Sequence, residues 1–376
     1  MSFPEEQNLN PFPWYHTMRQ SHPVARDEAS PFWNVFRYQD VQHVLSDHQA
    51  FSSAMMPQDQ PLGNSIINID PHYHRKLRTL VSQAFTPRTV AQLAPRITTI
   101  VHELLDAVGG QGSMDVINDL SYPLPVIVIA ELLGIPTEDR QHFKHWSDVI
   151  VGVEDPGGDD AQQEMGQYFL RLLEQRRHAP QNDLLTDLLA AHIEGQRLND
   201  DELLGFCVLL LVAGNVTTTH LLGNVFLCFD EFPEALQQLY DEPALLPGAI
   251  EEVLRYRSPV RCMFRRVAAD TIVGEQQMQA GQMVLAWIGS ANRDEEAFAQ
   301  PDLLDIRRTP NRHIAFGHGI HFCLGAPLAR LEARIALEVM LERFQHIQVV
   351  NDHPLEAVSS IVLHGANHIP VTFENR

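Results

Sequence analysis

The chain has 376 residues, of which 27 are Lys or Arg and 48 are Asp or Glu, so its formal net charge is −21. This negative balance disfavours a protein that binds nucleic acid or anionic membranes through a positive field. The apolar content of 44% argues against disorder, and four scattered cysteines do not make a secreted disulfide framework.

In chain order, the sequence predicts a short β-rich start and then a long helical region. The aromatic run Phe32–Phe36 indicates a strand or hairpin, and a helical pattern begins at Asp70–Pro71 after a loop-like stretch. Further helices, interrupted by an exposed loop at 154–160, are expected at 89–108, Tyr122–Leu133 and 200–229. The helix at 200–229 is apolar nearly all round, which is typical of a buried central helix.

The last third of the chain changes character twice. Residues 260–290 have strand character, a last amphipathic helix covers about Pro327 to Phe344, and a β-like tail follows. We find no repeat and no low-complexity linker, so we expect one mainly helical domain over residues 1–376. Its small β portion is expected at roughly 20–60, 260–290 and 355–376.

The sequence also bears on location. The N-terminal segment has neither the basic nor the apolar region of a signal peptide. The longest apolar run, Phe206–Gly214, is shorter than the roughly 18 residues of a membrane-spanning helix. We therefore expect a cytoplasmic protein without a membrane span.

The most informative chemical feature is a glycine-rich loop, Phe316–Pro327, that brings Cys323 to the start of a helix. A helix N-terminus stabilises a thiolate, which can attack a substrate, join a disulfide or bind a metal. No second cysteine stands at C-x-x-C spacing, which disfavours a redox dithiol or a zinc site. His321 lies two residues away and keeps a cysteine hydrolase as an alternative, and an inert packed thiol is another.

Four residues of this loop, Phe316, Gly319, Cys323 and Gly325, match the F-x-x-G-x-x-x-C-x-G signature. From about Asn10 onwards, the chain resembles the soluble bacterial cytochrome P450 haem-thiolate enzymes. The resemblance implies a triangular prism fold with haem b between the long central helix and the cysteine loop. It implies that Cys323 is the axial thiolate of the haem iron, that Phe316 shields the sulfur, and that Gly317 and Gly325 leave room for the flat ring.

The segment Leu210–Thr219 resembles the family's oxygen-binding groove. There the resemblance implies that Gly214 opens space for a ligand and that the Thr217 hydroxyl bonds to the Ala213 carbonyl four residues back. The family usually has Asp or Glu where this chain has Val216, so one proton-relay carboxylate is missing. Asn215 is a possible substitute, and a peroxide-driven or otherwise atypical reaction is an alternative.

Two further motifs agree with the family order. Glu252 and Arg255 match E-x-x-R and share one helix face, so the resemblance implies a buried structural pair rather than an ordinary surface pair. Many relatives carry a third member, an arginine, where this chain has Leu303. The resemblance also implies that the haem propionates are held by four residues: His74, Arg78, Arg266 and His321.

The implied activity is a monooxygenase that inserts one oxygen atom from O2 into a hydrophobic small molecule. Electrons would come from NAD(P)H through a reductase and a ferredoxin, because the chain has no flavin or iron–sulfur motif. We expect a monomer, whose partner is steered by Arg75, Lys76 and Arg330. A non-catalytic haem carrier or sensor, or a haem-free helical binding protein, is the alternative from another class.

The substrate pocket is expected to be mostly apolar. Its predicted lining is Ile66, Ile67, Val212, Ala213, Val260, Met263, Phe264, Ile361 and Val362. Cys262 is a candidate for the same pocket. Arg261 is expected either to meet a substrate carboxylate or to point to solvent. An aliphatic, terpenoid, steroid, fatty-acid or polyketide-like substrate fits such a lining.

Overall fold

The computed structural model describes residues 8–26, 31–57, 61–139, 142–143, 145–146, 149, 158–193 and 195–376. Most of the loop predicted at 154–160 lies outside these residues, and its last three positions already belong to a helix.

Helices form most of the described chain. Those before its centre are α1 (Phe12–Ser21), α2 (Tyr38–Ser46), α3 (Pro71–Ala84), α4 (Pro87–Ala91), α5 (Ala94–Val108), α6 (Pro123–Leu132), α7 (Gly158–His178) and α8 (Leu184–Ala190). The long central helix and those after it are α9 (Asp200–Glu231), α10 (Pro233–Asp241), α11 (Leu246–Tyr256), α12 (Ile288–Ala291) and α13 (Ala326–Arg343).

The strands are short and form small sheets. They are β1 (Val24–Arg26), β2 (Phe32–Val35), β3 (Phe51–Ser52), β4 (Ser113–Asp115), β5 (Met263–Val267), β6 (Thr271–Val273), β7 (Gln276–Met278), β8 (Met283–Ala286), β9 (Phe344–Val349) and β10 (Pro370–Asn375). One sheet has the order β1-β2-β8-β5-β3, a second has the order β4-β10-β9, and β6 pairs with β7. The architecture is mainly helical with a small β portion, as the sequence predicts.

The central helix α9 lies in the core. Asn199 caps it in a capping box, since Asn199 and Glu202 each accept a hydrogen bond from the other's backbone N–H. By length and composition α9 could cross a membrane, but 72% of its most apolar window is buried inside the protein. Such burial is typical of the core helix of a soluble protein, and α9 packs against both α6 and α13.

Three boundaries differ from the predictions. The helix expected at 89–108 divides into α4 and α5, because Pro95 begins a new first turn after Leu93. Strand β9 directly follows α13, ahead of the predicted C-terminal β region. The tail segment at 361–362 lies outside any strand, and the chain there is joined to its neighbour by an isolated bridge between Val260 and Leu363.

Candidate functional site

Cys323 ends an irregular loop that leads into α13. Its N–H donates to the Phe316 carbonyl at 2.9 Å, which closes the loop. Gly317 and Gly319 adopt left-handed φ values of +76° and +74°. A Cβ at Gly319 would lie 2.9 Å from the Cα of Ser46, so only glycine fits against the end of α2. The predicted delivery of Cys323 to a helix N-terminus is therefore confirmed.

The surroundings of the Cys323 sulfur act on its proton in opposite directions. Burial has the larger effect and raises the pKa of the thiol, while the backbone N–H groups of Gly325 and Ala326 and the charges of Arg78 and Arg330 act to lower it. A Cβ at Gly325 would lie 3.9 Å from the sulfur, so glycine leaves this flank uncovered. A coordinated metal ion would remove the remaining proton, which makes this sulfur a suitable metal ligand.

The segment before Cys323 is held by an ion-pair network on the carboxylate of Glu251. Arg330 donates to Glu251 through Nε at 2.6 Å and Nη2 at 2.8 Å, and its guanidinium lies 4.5 Å from the centre of the Phe316 ring. His313 Nε2 lies 3.0 Å from the same carboxylate, and its Nδ1 accepts from the Ala315 N–H at 3.2 Å. The charge of Arg330 is thus compensated, which weakens its predicted role in steering a partner.

On α9, the predicted local hydrogen bond is confirmed. The Thr217 hydroxyl donates to the Ala213 carbonyl at 2.8 Å, and both residues keep accessible surface. At Gly214, a Cβ would overlap Cδ1 of Ile129 from α6. The glycine therefore makes room for a neighbouring helix, and its role in opening space for a ligand stays a prediction.

Asn215, the predicted substitute for the missing carboxylate, lies in the core, and its role in proton delivery stays a prediction. Asn215 is fully buried, and its amide oxygen lies 3.4 Å from the Thr219 hydroxyl. Residues two positions apart on a helix point to different faces, so Asn215 does not share the face of Thr217. Val216 is buried too.

Four basic side chains converge beside the Cys323 loop. The rings of His74 and His321 lie 4.4 Å apart, and the Nε2 atom of each is buried without a hydrogen-bond partner among the described residues. Burial, together with the charges of Arg265, His74 and Arg78, lowers the pKa of His321 to about 3. Burial also lowers the pKa of Arg265 to about 10, with Asp70 opposing. Such a cluster fits a ligand with more than one negative charge.

Arg266, the predicted fourth member of this cluster, is exposed, and its neighbour Arg265 takes the inward position. Successive strand residues face opposite sides, and Arg265 shares its face of β5 with buried Val267. The alternation with Val267 was the sequence signal that could have identified Arg265.

Behind the loop, Glu252 and Arg255 form the predicted buried pair, both 0% exposed. Arg255 donates to Glu252 through Nε at 2.9 Å and Nη2 at 2.8 Å. Contrary to the prediction, the third member is present: Arg308 Nε lies 3.1 Å from both carboxylate oxygens. Leu303 takes part through its carbonyl, which accepts from Arg255 at 3.0 Å. No local sequence pattern pointed to Arg308.

The predicted pocket residues are accessible to different degrees. Ile66 is buried, whereas Ile67 and Ile361 are each 42% exposed. Five further residues, Val212, Val260, Met263, Phe264 and Val362, are partly buried, and Ala213 is exposed.

For two residues beside the predicted pocket lining, Arg261 and Cys262, the structure differs from the predictions. Arg261 is fully buried and donates to the side chain and the carbonyl of Asn8 at 3.2 and 3.3 Å, so it does not point to solvent. Cys262 is also fully buried, and its sulfur lies 3.3 Å from the Ile361 carbonyl, so it does not line the pocket.

The sequence model of the cytochrome P450 family matches residues 144–369. The putative cytochrome P450 YjiB of Bacillus subtilis is 46% identical over 363 residues, which cover 94% of this chain and 92% of that protein. The chain is a cytochrome P450. Among solved structures, CYP109E1 of Bacillus megaterium in complex with testosterone has a TM-score of 0.91 to this cytochrome P450. It is 43% identical, and the match covers 96% of this chain and 99% of that one.

The relatives of this cytochrome P450 include oxygen-inserting enzymes. The cyclomarin C epoxidase CymV of Salinispora arenicola is 43% identical over 354 residues, which cover 89% of each chain. The enzyme class is therefore a monooxygenase, an oxidoreductase that incorporates molecular oxygen.

Cytochromes P450 bind haem b through a cysteine thiolate, and the residues of this chain fit that cofactor on two observations. The Cys323 sulfur lies among N–H groups and positive charges that favour an anion. The unpartnered Nε2 atoms of His74 and His321, with Arg78 and Arg265 nearby, are suited to two propionates. The cysteine site and the group of basic side chains are adjacent, since the charge of Arg78 acts to lower the pKa of both Cys323 and His321.

Proposed function

We propose that this cytochrome P450 inserts one oxygen atom from O2 into an uncharged, steroid-sized hydrophobic substrate, by hydroxylation or epoxidation. For a hydroxylation the balance is RH + O2 + NAD(P)H + H⁺ → ROH + H2O + NAD(P)⁺, with the electrons passed through a reductase and a ferredoxin. The single observation that carries the proposal is Cys323, held at the head of α13 by the closed loop from Phe316.

In this proposal Cys323 ligates the haem iron, and four residues hold the propionates: His74, Arg78, Arg265 and His321. When bound, haem supplies the chemistry of oxygen reduction and transfer. The chain's own residues position and protect this chemistry. Glu251 holds the Arg330 guanidinium over the Phe316 ring, and this contact fixes the position of the ring in the segment before Cys323. The Thr217 hydroxyl, bonded to the Ala213 carbonyl, provides a polar group that keeps accessible surface on α9.

The substrate class is supported by the lining and by the relatives. The predicted pocket residues are apolar, and Arg261, which could have met a carboxylate, is engaged with Asn8. One solved relative, CYP109E1 of Bacillus megaterium, binds both testosterone and corticosterone, and a curated relative is an erythromycin C-12 hydroxylase. The molecules in these names are all bulky, and the two steroids are uncharged, so we expect a bulky, uncharged molecule here.

A reduced carbon monoxide spectrum tests the haem-thiolate part of the proposal. We expect a strongly red-shifted band in the wild type and its loss in Cys323→Ser, with Cys207→Ser as control because Cys207 is a buried thiol of α9. Titration with steroids, macrolides and fatty acids, followed by the shift in haem absorption, tests the substrate class. Binding only of charged fatty acids would contradict it.

Val216 supports a second candidate function, a peroxide-driven reaction, because a carboxylate is absent beside Thr217. Turnover with hydrogen peroxide alone, compared with NADPH plus surrogate ferredoxin and reductase, separates the two. A rate with peroxide above the NADPH-driven rate would favour the second candidate. A haem carrier or sensor would turn over with neither.

For the partner, two positive side chains of α3 support docking of an acidic ferredoxin. Arg75 is exposed, and the Lys76 ammonium lies 5.2 Å from the centre of the exposed Tyr73 ring. Arg75→Glu should slow reduction by the surrogate ferredoxin and weaken its salt dependence. We further propose that the protein acts in the cytoplasm as a monomer with one domain over 1–376.

A further inference from the structure

Three polar residues form a stripe on the apolar central helix. Thr217, His220 and Asn224 follow one another at intervals of three and four residues, so they lie on one face of α9. His220 and Asn224 are buried, whereas Thr217 keeps accessible surface. A stripe of this kind is unexpected in a core helix, because buried polar groups cost free energy unless they are hydrogen-bonded.

Several polar atoms around this stripe lack a hydrogen-bond partner within the described chain. They are the His220 Nδ1, the Asn224 Oδ1 and the Arg257 Nε. Each of these atoms is buried. Grouped orphan donors and acceptors are the usual sign of ordered internal water, which typically makes about three hydrogen bonds.

The partners that are present lead away from Thr217 towards the surface. The Asn224 amide donates to the carbonyls of His364 and Arg257, each at 2.9 Å. His364 Nε2 lies 3.2 Å from the Leu9 carbonyl, and Arg257 Nη1 donates to that carbonyl at 2.9 Å. Leu9 is partly exposed. The polar groups therefore continue from α9 to the N-terminal segment.

His220 occupies the position next to Thr217 in this series. A Cβ at residue 365 would overlap the His220 ring, so Gly365 is what lets the imidazole fit. Burial, with the positive charge of Arg261, lowers the pKa of His220 to about 4, so the ring is neutral at pH 7. A neutral imidazole has one donor and one acceptor nitrogen and can receive a proton on one while releasing it from the other.

We propose that His220, Asn224 and His364 hold a file of ordered water that carries protons from the N-terminal edge to Thr217, in place of the carboxylate absent at Val216. The proposal rests on the proposed monooxygenase function. The second oxygen atom of O2 leaves as water and takes up two protons. Each proton that passes Thr217 is replaced at the Leu9 end from solvent, so His220 is unchanged after one turnover.

The structural test does not depend on turnover. A crystal structure of the haem-loaded wild type at high resolution should show water within hydrogen-bond distance of the His220 Nδ1 and the Asn224 Oδ1. In His220→Leu the first of these waters should be lost. A dry His220 Nδ1 in the wild type would overturn the proposal, whatever the substrate is.

The kinetic test uses NADPH, surrogate ferredoxin and reductase, and testosterone as the probe. We expect His220→Leu to raise the share of NADPH electrons recovered as hydrogen peroxide at least threefold. His220→Asn, which keeps a polar atom near the Nδ1 position, should reverse at least half of this increase in hydrogen peroxide. The control Thr219→Val removes a buried hydroxyl from the opposite side of α9 and should match the wild type.

The outcomes are distinguishable. If His220→Leu releases the same share of NADPH electrons as hydrogen peroxide as the wild type, with an unchanged carbon monoxide band, the relay is overturned and the proposed function stays intact. Absence of that band in the wild type would overturn the proposed function itself. If testosterone binds without being oxidised, the substrate class fails, and the water positions still decide the relay.

Discussion

Replacing Glu252 by Gln tests how much the buried network behind the Cys323 loop stabilises the fold. The carboxylate accepts from the side chains of Arg255, Arg308 and Asn311 and from the Asp305 N–H, at 2.8 to 3.1 Å. Glutamine has the same size, but it removes the negative charge and turns one acceptor into a donor that faces other donors. Breaking a buried pair costs about 3–5 kcal/mol, and we expect this loss in the free energy of unfolding.

The chain offers a matched control in Glu338→Gln. Glu338 also accepts two hydrogen bonds from an arginine of its own helix, Arg334, at 2.8 and 2.9 Å. These side chains are 43% and 39% exposed, so the control should cost only about 0–1 kcal/mol. Urea unfolding followed by far-ultraviolet circular dichroism measures both variants. If they lie within about 1 kcal/mol of each other, burial does not decide the strength of the Glu252 network.

Two further substitutions test the site. Arg265→Ala should lower haem affinity at least tenfold, as expected for loss of about 1.5–3 kcal/mol from a hydrogen bond to a charged group. The control Arg266→Ala, at an exposed residue, should leave haem affinity unchanged. Haem titration of the apoprotein measures both variants, and equal effects would contradict the assignment of Arg265. Gly319→Ala should destabilise the protein more than Gly195→Ala. Both glycines have left-handed φ values, +74° and +77°, but of the two only residue 319 lacks room for a Cβ. Thermal unfolding of the two variants checks the difference, and equal losses of stability would mean that φ alone matters.

Local geometry was the part of the site that the sequence could predict. A helix fixes which residues meet at spacings of three and four, so the Thr217–Ala213 and Glu252–Arg255 contacts follow from the sequence.

The remaining contacts depend on how distant segments pack. In β5 a shift of one residue exchanges the two faces, and this decided between Arg265 and Arg266. Arg308 reaches Glu252 from 56 positions away, through an irregular segment without periodicity. No rule of local spacing covers such a contact, so the third member of the network became visible only in the folded chain.

The carboxylate of Glu251 links the stability of the Cys323 loop to pH. Burial alone would raise the pKa of Glu251, but hydrogen bonds from Arg330 and His313 together lower it to about 2. The pKa of a glutamate in the unfolded chain is about 4.3. Because the folded-state pKa of Glu251 is lower, its ionised carboxylate stabilises the folded state above pH 4.3, and this stabilisation is lost as pH falls towards 2. The difference of about 2.3 units sets an upper bound of about 3 kcal/mol, and about half is lost by pH 3.

Glu251→Gln should therefore destabilise the protein by about 1–3 kcal/mol at pH 7, and the gap to the wild type should narrow below pH 4. Urea unfolding at pH 7, 5, 4 and 3 measures this, with Glu338→Gln as a control for general charge effects. Because Glu251 holds Arg330 over Phe316, the same variant should also lose the red-shifted carbon monoxide band at lower urea concentration. A gap of constant size from pH 7 to pH 3 would mean that shape, and not the ionised carboxylate, holds the loop in place.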